Sequence, residues 1–403
     1  MKAKAYIVLA NGQVFEGKSF GATGCVTGEV VFTTGMTGYL EALTDPSFYG
    51  QIILQTFPLI GNYGIIPEDA ESDRPHAVGY VVRQWCEHPS NFRCEGTIDE
   101  YLRQHGIIGV YDVDTRALAK VIREHGVMNA RIVSFSGNAE KDAQAAVELH
   151  AIMHDIVQNP GFVAHAGRIR LLEELESFHT DKPILSVTGS ASAVMSNKVN
   201  GLDEFVQAEK SKKVVLWDFG TKASIHRQLL KRGLEVVVVP ATATCEQIID
   251  LEPDGVVLSS GPGDPAENPQ IINEIRDLSD SGLPIFGICL GHMLLALARG
   301  AKTQKMKYGH RGENQPVKDV ATGRVYITSQ SHGYAVLPET LPEDAELSFV
   351  NVNDGTCEGI KYSDFPGFSV QFHPEAAGGP LDTEFLFDRF VDLVNAVKEL
   401  REE

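Results

Sequence analysis

The feature that most limits the fold of this chain is an alternation that begins at Lys213. Val214–Trp217, Val236–Val239, Val256–Leu258 and Pro284–Ile288 are short, β-rich and almost wholly apolar. Helical patterns separate them, at Ala223–Arg232, Cys245–Leu251 and Pro269–Asp280, and Leu290–Ala298 follows the fourth run. Thr244 and Gln247 have the spacing of a capping box at the start of the second helix. Strands with no polar alternation are covered on both faces, and strands separated by helices run parallel. Residues 213–403 are therefore expected to form an α/β domain with a mainly parallel sheet flanked by helices. Val325–Thr328, the region around Val350, Gly359–Tyr362 and Phe368–Phe372 read as further strands, and Leu381–Leu400 as a closing helix.

Residues 1–157 read differently. Ala5–Leu9 and Val14–Lys18 bracket Asn11-Gly12, a hairpin signal. Glu29–Thr33 is another strand. Thr97-Ile-Asp-Glu100 is a capping box opening a helix that stops near Gly106. Ile107–Tyr111 reads as a strand, and Asp114–His125 and 138–157 as helices. This is an α+β pattern without sustained alternation. Between the two regions, residues 158–212 read as a connecting segment rich in Ser, Thr, Gly and Asn around Ser186–Asn200.

The net charge of −19 argues against broad contact with phosphate backbones or anionic membranes. No run approaches the ~20 apolar residues of a membrane span. The six cysteines contain no Cys-x-x-Cys pair, which fits reduced thiols and a cytoplasmic setting.

Three motifs carry chemistry. Phe286-Gly-Ile-Cys289-Leu-Gly-His292 follows an apolar strand and opens a helix, which is the nucleophile-elbow arrangement with cysteine in place of serine. Gly287 and Gly291 keep the tight turn free of bulk. The helix N-terminus favours thiolate at Cys289. The plain alternative is a core cysteine beside two packing glycines. Phe368–Glu375 alternates apolar Phe368, Val370 and Phe372 with polar Ser369, Gln371 and His373. Pro374 ends the strand, and His373 with Glu375 suits a base steered by a carboxylate. The alternative is an exposed strand-end histidine. Ser259-Ser-Gly261-Pro-Gly263-Asp-Pro265 follows the strand Val256–Leu258, and its glycines let backbone N–H groups approach an oxyanion. It lacks a third glycine and a Walker lysine, so neither a dinucleotide nor a P-loop reading applies. A plain β–α turn is the alternative. Because ligands of parallel sheets bind beyond the carboxyl ends of the strands, all three motifs can converge there.

Other candidates are weaker. His150 and His154 share a helical face without a third ligand or a zincin motif. Asp218-Phe219-Gly220 has none of the companions of a kinase triplet. Lys302, Lys305 and Lys307 read as a solvated face. No metal site is expected.

With Gly287–His292, Gly261–Gly263 and His373–Glu375 in place, the chain resembles the class I (triad) glutamine amidotransferases. Gly28-Glu-Val-Val-Phe32, Met36-Thr-Gly-Tyr39, Leu43-Thr-Asp-Pro-Ser47 and Asp112-Val-Asp-Thr-Arg116 extend the likeness to the small, glutamine-hydrolysing subunits of carbamoyl-phosphate synthases. Asp218-Phe-Gly220 with Lys222, Gly309-His-Arg-Gly312 with Asn314 and Pro316, and His332-Gly333 do the same. The resemblance spans almost the whole length.

It implies that Cys289 attacks the amide carbon of L-glutamine, that His373 moves protons, and that Glu375 orients it. Backbone N–H groups of Gly261 and Leu290 would hold the oxyanion. Glutamine contacts map to Ser47, Gly261, Gly263, Leu290, Met293, Ser331, Gly333 and Tyr334. The resemblance further implies a large partner subunit, which receives ammonia through a tunnel. That partner uses ATP, Mg and bicarbonate to make carbamoyl phosphate for pyrimidine and arginine synthesis, and this chain itself carries no cofactor. The family pattern has glutamine where Met293 stands and asparagine where Ser331 stands, and Ser224 and Gly35 replace asparagine and serine. A thioether is a poor acceptor and no donor, so weaker glutamine binding is expected. Two alternatives follow: another triad amidotransferase, which would lack the first ~200 residues, or a docking subunit without turnover.

Overall fold

In the computed structural model the described residues are 3–138, 142, 166–189, 193–195 and 212–402. The helix expected over 138–157, with His150 and His154, lies outside them but for its first residue and residue 142. Two compact units emerge, Met1–Asp181 and Lys182–Glu403. The described part of the connecting segment divides between them: the helix Ala166–Ser177 belongs to the first and Pro183–Val187 to the second.

The first unit is built on a closed seven-stranded barrel. Its order is Lys4–Leu9, Val14–Gly21, Ile108–Tyr111, Gly79–Val81, Gln51–Gln55, Gly24–Thr33 and Met128–Ser134, the last closing on the first. The Asn11-Gly12 turn sets the hairpin register, with Val8 opposite Val14 and Gly12 at φ 84. Thr97 and Glu100 make the reciprocal capping box, and Asp114 caps Thr115–His125 by accepting from Ala117 N at 2.9 Å. Gln51–Gln55 and Gly79–Val81 carry no polar alternation because they are buried, and the second is only three residues long.

The second unit contains a ten-stranded sheet. Five central strands are parallel, in the order Glu235–Pro240, Lys213–Asp218, Gly255–Leu258, Ile285–Ile288 and Gly367–Val370. Successive side chains point to opposite faces, and the core divides accordingly. Val215, Trp217, Val256, Leu258 and Ile285 pack with Ile271, Ile275 and Leu278 of the helix Pro269–Ser279 and with Leu290–Ala298. Val214, Leu216, Val257, Phe286 and Ile288 pack with Ile225 and Leu229 of Ala223–Lys231 and with Phe387, Phe390 and Val394 of Phe385–Glu402.

The expectation of a mainly parallel sheet holds only for this centre. Gly367–Val370 pairs antiparallel with Cys357–Tyr362, and Ala345–Asn351, Thr303–Asp319 and Val325–Val336 continue the antiparallel half. Ala193–Met195 is antiparallel at the other edge. No α-helix is present between residues 303 and 370, and short connections join antiparallel neighbours rather than parallel ones. Thr303–Asp319 escapes a periodicity reading because two register shifts, after Lys305 and after Gly312, break its alternation. Lys302, Lys305 and Lys307 are exposed on or beside it. Among the described residues, no helix is long and apolar enough to cross a membrane.

Candidate active site

The parallel strand Ile285–Ile288 delivers Cys289 to the sheet's carboxyl edge. There the backbone turns sharply into Leu290–Ala298, with Cys289 at φ 53 and ψ −101 as the helix N-cap. A non-glycine residue with positive φ stores strain, and such strain concentrates at functional positions. The chain can pass here only because its flanks are bare. A Cβ on Gly291 would lie 2.3 Å from Leu258 O, and one on Gly287 would lie 2.9 Å from Gly291 O. Cys289 N donates to Val370 O at 2.8 Å and Gly291 N to Ser259 O at 3.0 Å, fixing the elbow to the strands on either side. Cys289 is 1% exposed, so it is more enclosed than a position at a sheet edge implies.

The neighbouring strand Gly367–Val370 leads into Gln371, Phe372 and His373. The polar set read from the alternation does not face solvent: Ser369, Gln371 and His373 are all buried. Each has a polar partner. Ser369 Oγ lies 2.8 Å from His292 Nδ1, Gln371 Nε2 donates to Cys289 Sγ at 3.7 Å, and His373 Nδ1 lies 2.6 Å from Glu375 Oε1. His373 N donates to Ser329 O at 2.9 Å, which ties this strand end to Val325–Val336.

Glu375 has a second partner. Lys222 Nζ donates to the same Oε1 at 2.9 Å, and both side chains are buried. Burial pushes the Glu375 carboxyl up, but Lys222 and then His373 outweigh it and hold the group well below the usual carboxylate range. Burial pulls the His373 ring down, yet the Glu375 carboxylate and the Cys289 sulfur raise it well above an ordinary imidazole, against the opposing Lys222 ammonium. His373 therefore carries its proton readily while Glu375 stays ionised. Asp218 aims Lys222: its Oδ1 accepts from Gly220 N at 3.0 Å and Thr221 N at 2.8 Å, turning the chain just before the lysine.

Sequence reading gave Lys222 no role, although a signal existed. Lys222 is the N-cap of Ala223–Lys231, where the helix dipole disfavours a cation. His292 is fully buried, which lowers its ring to about 3 and keeps it neutral.

The glycine loop lies close to the elbow. A Cβ on Gly261 would sit 2.2 Å from Phe219 O and 2.8 Å from Leu290 Cδ2, so only glycine lets this backbone pass beside Leu290. Gly263 has φ +93. Met293 is buried one helical turn after Cys289, in the cluster that contains Leu258 and Leu290. Tyr334 packs on that cluster. Ser331 Oγ is buried without a hydrogen-bond partner, and Gly333 lies against the Arg311 guanidinium. The second unit thus contains every residue singled out for the site except Ser47. Ser47 lies in the first unit, on the turn Pro46–Phe48, with its N–H held by Asp45 Oδ1 at 2.8 Å.

Beside Ser331, a buried polar network supports the strand. His310 bonds Asp354 at 3.0 Å and faces Glu358 at 3.3 Å. His332 Nδ1 lies 2.8 Å from Tyr334 O and its Nε2 3.0 Å from Gln330 Oε1. Ligand atoms of His310, His332 and Glu358 come within 4.8 Å of one another. Each ring nitrogen already faces a protein polar atom, so a cation could enter only by displacing these bonds.

Comparison with known proteins agrees with this layout. Residues 7–132 match the family model described as carbamoyl-phosphate synthase small chain, CPSase domain, and residues 215–393 match glutamine amidotransferase class-I. A carbamoyl phosphate synthase small chain of Clostridium perfringens is 45% identical over 388 residues, covering 96% of this chain and 99% of the relative. One from Syntrophotalea carbinolica is 46% identical over 395 residues, covering 97% and 98%. One from Archaeoglobus fulgidus is 45% identical over 392 residues, covering 97% and 99%.

Proposed function

Because the chain belongs to the carbamoyl-phosphate synthase small-chain family, we propose that it hydrolyses L-glutamine at Cys289, His373 and Glu375 and supplies ammonia to a large synthase subunit. The observation that carries this reading is the strained cysteine at a helix N-terminus, coupled to a buried imidazole that a carboxylate holds in one orientation.

Cys289, as thiolate, adds to the side-chain amide carbon. The oxyanion takes N–H donors from Gly261 and Leu290; losing one such donor typically costs 10²–10³ in turnover. As the C–N bond breaks, His373 passes its proton to the departing amide nitrogen, which leaves as ammonia. Water then gives a proton to His373 while its oxygen bonds the thioester carbon, and glutamate leaves as the sulfur regains its electron pair. Glu375 keeps the ring in one tautomer, and Lys222 keeps Glu375 ionised. Gly263, Met293, Ser331, Gly333 and Tyr334 are glutamine contacts in this reading, and Ser47 is assigned by resemblance.

The chain needs no cofactor of its own for these steps. ATP, Mg and bicarbonate belong to the chemistry of the large subunit, and a cytoplasmic setting is part of the same proposal. Ammonia release from glutamine, measured with and without the large subunit, tests the function. Cys289→Ser should abolish release. If no thiol-dependent ammonia appears in either condition, the chain is a docking subunit instead.

A further inference from the structure

The triad does not account for Gln371. Its side chain is fully buried, and its Nε2 donates to the Cys289 sulfur at 3.7 Å. Its Oε1 is buried with no hydrogen-bond partner. A buried amide with one half unpaired is costly, and a leucine would fill similar space without that cost. The amide is also held in place. Gln371 N donates to Glu358 O at 2.9 Å, Cys289 N to Val370 O at 2.8 Å, and His373 N to Ser329 O at 2.9 Å. The backbone is therefore anchored on either side of the contact. Gln371 meets the Cys289 sulfur directly and the same sulfur raises the His373 ring, so both side chains face the elbow.

We propose that Gln371 is a catalytic residue of the glutaminase centre, whose Nε2–H holds the Cys289 sulfur as thiolate before attack and again when the thioester breaks. This rests on the reading of Cys289 as nucleophile. In the first half-reaction the S–C bond forms, the C–N bond breaks, and His373 protonates the departing amide nitrogen, which leaves as ammonia. In the second, water bonds the same carbon and gives its proton to His373. The C–S bond then breaks and its electron pair returns to sulfur, where the Gln371 N–H stands ready. A charge-assisted donor at that point makes the sulfur a better leaving group.

The test is the pH dependence of iodoacetamide labelling at Cys289, read by mass spectrometry of its peptide in the full chain. Ammonia release is measured in parallel. The titratable groups about the sulfur are His373, with Glu375 and Lys222 behind it and His332 facing His373, and His292 on the cysteine's own helix; none is altered. In Gln371→Leu the labelling midpoint should rise by about one to two pH units, the size of a lost hydrogen bond to a charged group. Turnover near neutrality should fall about 10- to 100-fold and recover as pH rises through the new midpoint. Gln371→Glu keeps the shape but sets a carboxylate beside the sulfur, so its midpoint should rise further. Gln371→Met, which removes the donor without adding a charge, should shift as the leucine form does and is the deciding variant should that form fail to fold. A merely structural role would lower turnover without moving the midpoint, and an unmoved midpoint in the folded variant overturns the proposal. Failure of the triad reading looks different: the wild-type chain itself would release no ammonia.

Discussion

Replacing Lys222 by methionine probes the electrostatics of the site. Methionine keeps much of the apolar stem and removes only the ammonium, so packing changes little. The structure sets the size of the effect. Lys222 Nζ lies 2.9 Å from Glu375 Oε1, and the two side chains are 5% and 0% exposed. Removing one partner of such a pair usually costs about 3–5 kcal/mol, because a charge is left buried and uncompensated. Here His373 remains 2.6 Å from the same carboxylate, so the low end, about 3 kcal/mol, applies. For a folding unit of roughly 200 residues this corresponds to a fall in melting temperature of about 6–12 °C.

The sign of the pH dependence follows from Glu375, whose folded carboxyl lies below its ordinary value. A depressed carboxyl contributes stability that is present above the unfolded value and is lost as pH falls through the folded one. The gap in melting temperature between wild type and Lys222→Met should therefore be full near neutrality. It should begin to narrow as pH falls through the ordinary carboxylate range, where the variant's Glu375 takes up its proton first, and should close in strong acid, where both proteins hold a protonated Glu375. Calorimetric scans of the full chain from neutral to acid pH measure this. Equal melting temperatures near neutrality, or a gap that does not depend on pH, would show that Lys222 does not hold the Glu375 charge.

Three further outcomes are expected. Met293→Gln should lower the Michaelis constant for glutamine about 10- to 150-fold, the worth of one regained bond to a charged ligand group; an unchanged or higher constant in steady-state assays contradicts this. Gly291→Ala forces a Cβ to within 2.3 Å of Leu258 O, so it should destabilise by about 1–3 kcal/mol or more and reduce turnover; denaturant unfolding and the ammonia assay report both. Thr244→Ala removes the capping box of Cys245–Ile249 and should cost about 0.5–2 kcal/mol with no change in turnover per folded molecule.

Local rules recovered much of the second unit, because buried parallel strands and the helices between them are nearly pure signals. Leu290–Ala298 matches its sequence reading end to end, and both capping boxes form. The antiparallel half was legible only in fragments, since Thr303–Asp319 is polar and twice bulged. The barrel was less legible, because closing a sheet joins strands far apart in sequence, such as Lys4–Leu9 and Met128–Ser134. Among the candidate site residues, Cys289, His373 and Glu375 stood out by the turn glycines and the His-Pro-Glu run, although the strand expected to reach Pro374 stops at Val370. Lys222 and Gln371 did not, because the contacts that single them out are to residues 153 and 82 positions away. Alternation marked Gln371 as polar but could not show that the polar face is interior.

The proposed hydrolysis passes through a covalent bond between glutamine and the Cys289 sulfur. Carbon-labelled glutamine, mixed briefly with the protein and quenched in acid, should leave label as a thioester on the peptide containing residue 289, and Cys289→Ser should leave none. Ammonia released by a wild-type chain whose residue-289 peptide carries no label would contradict it.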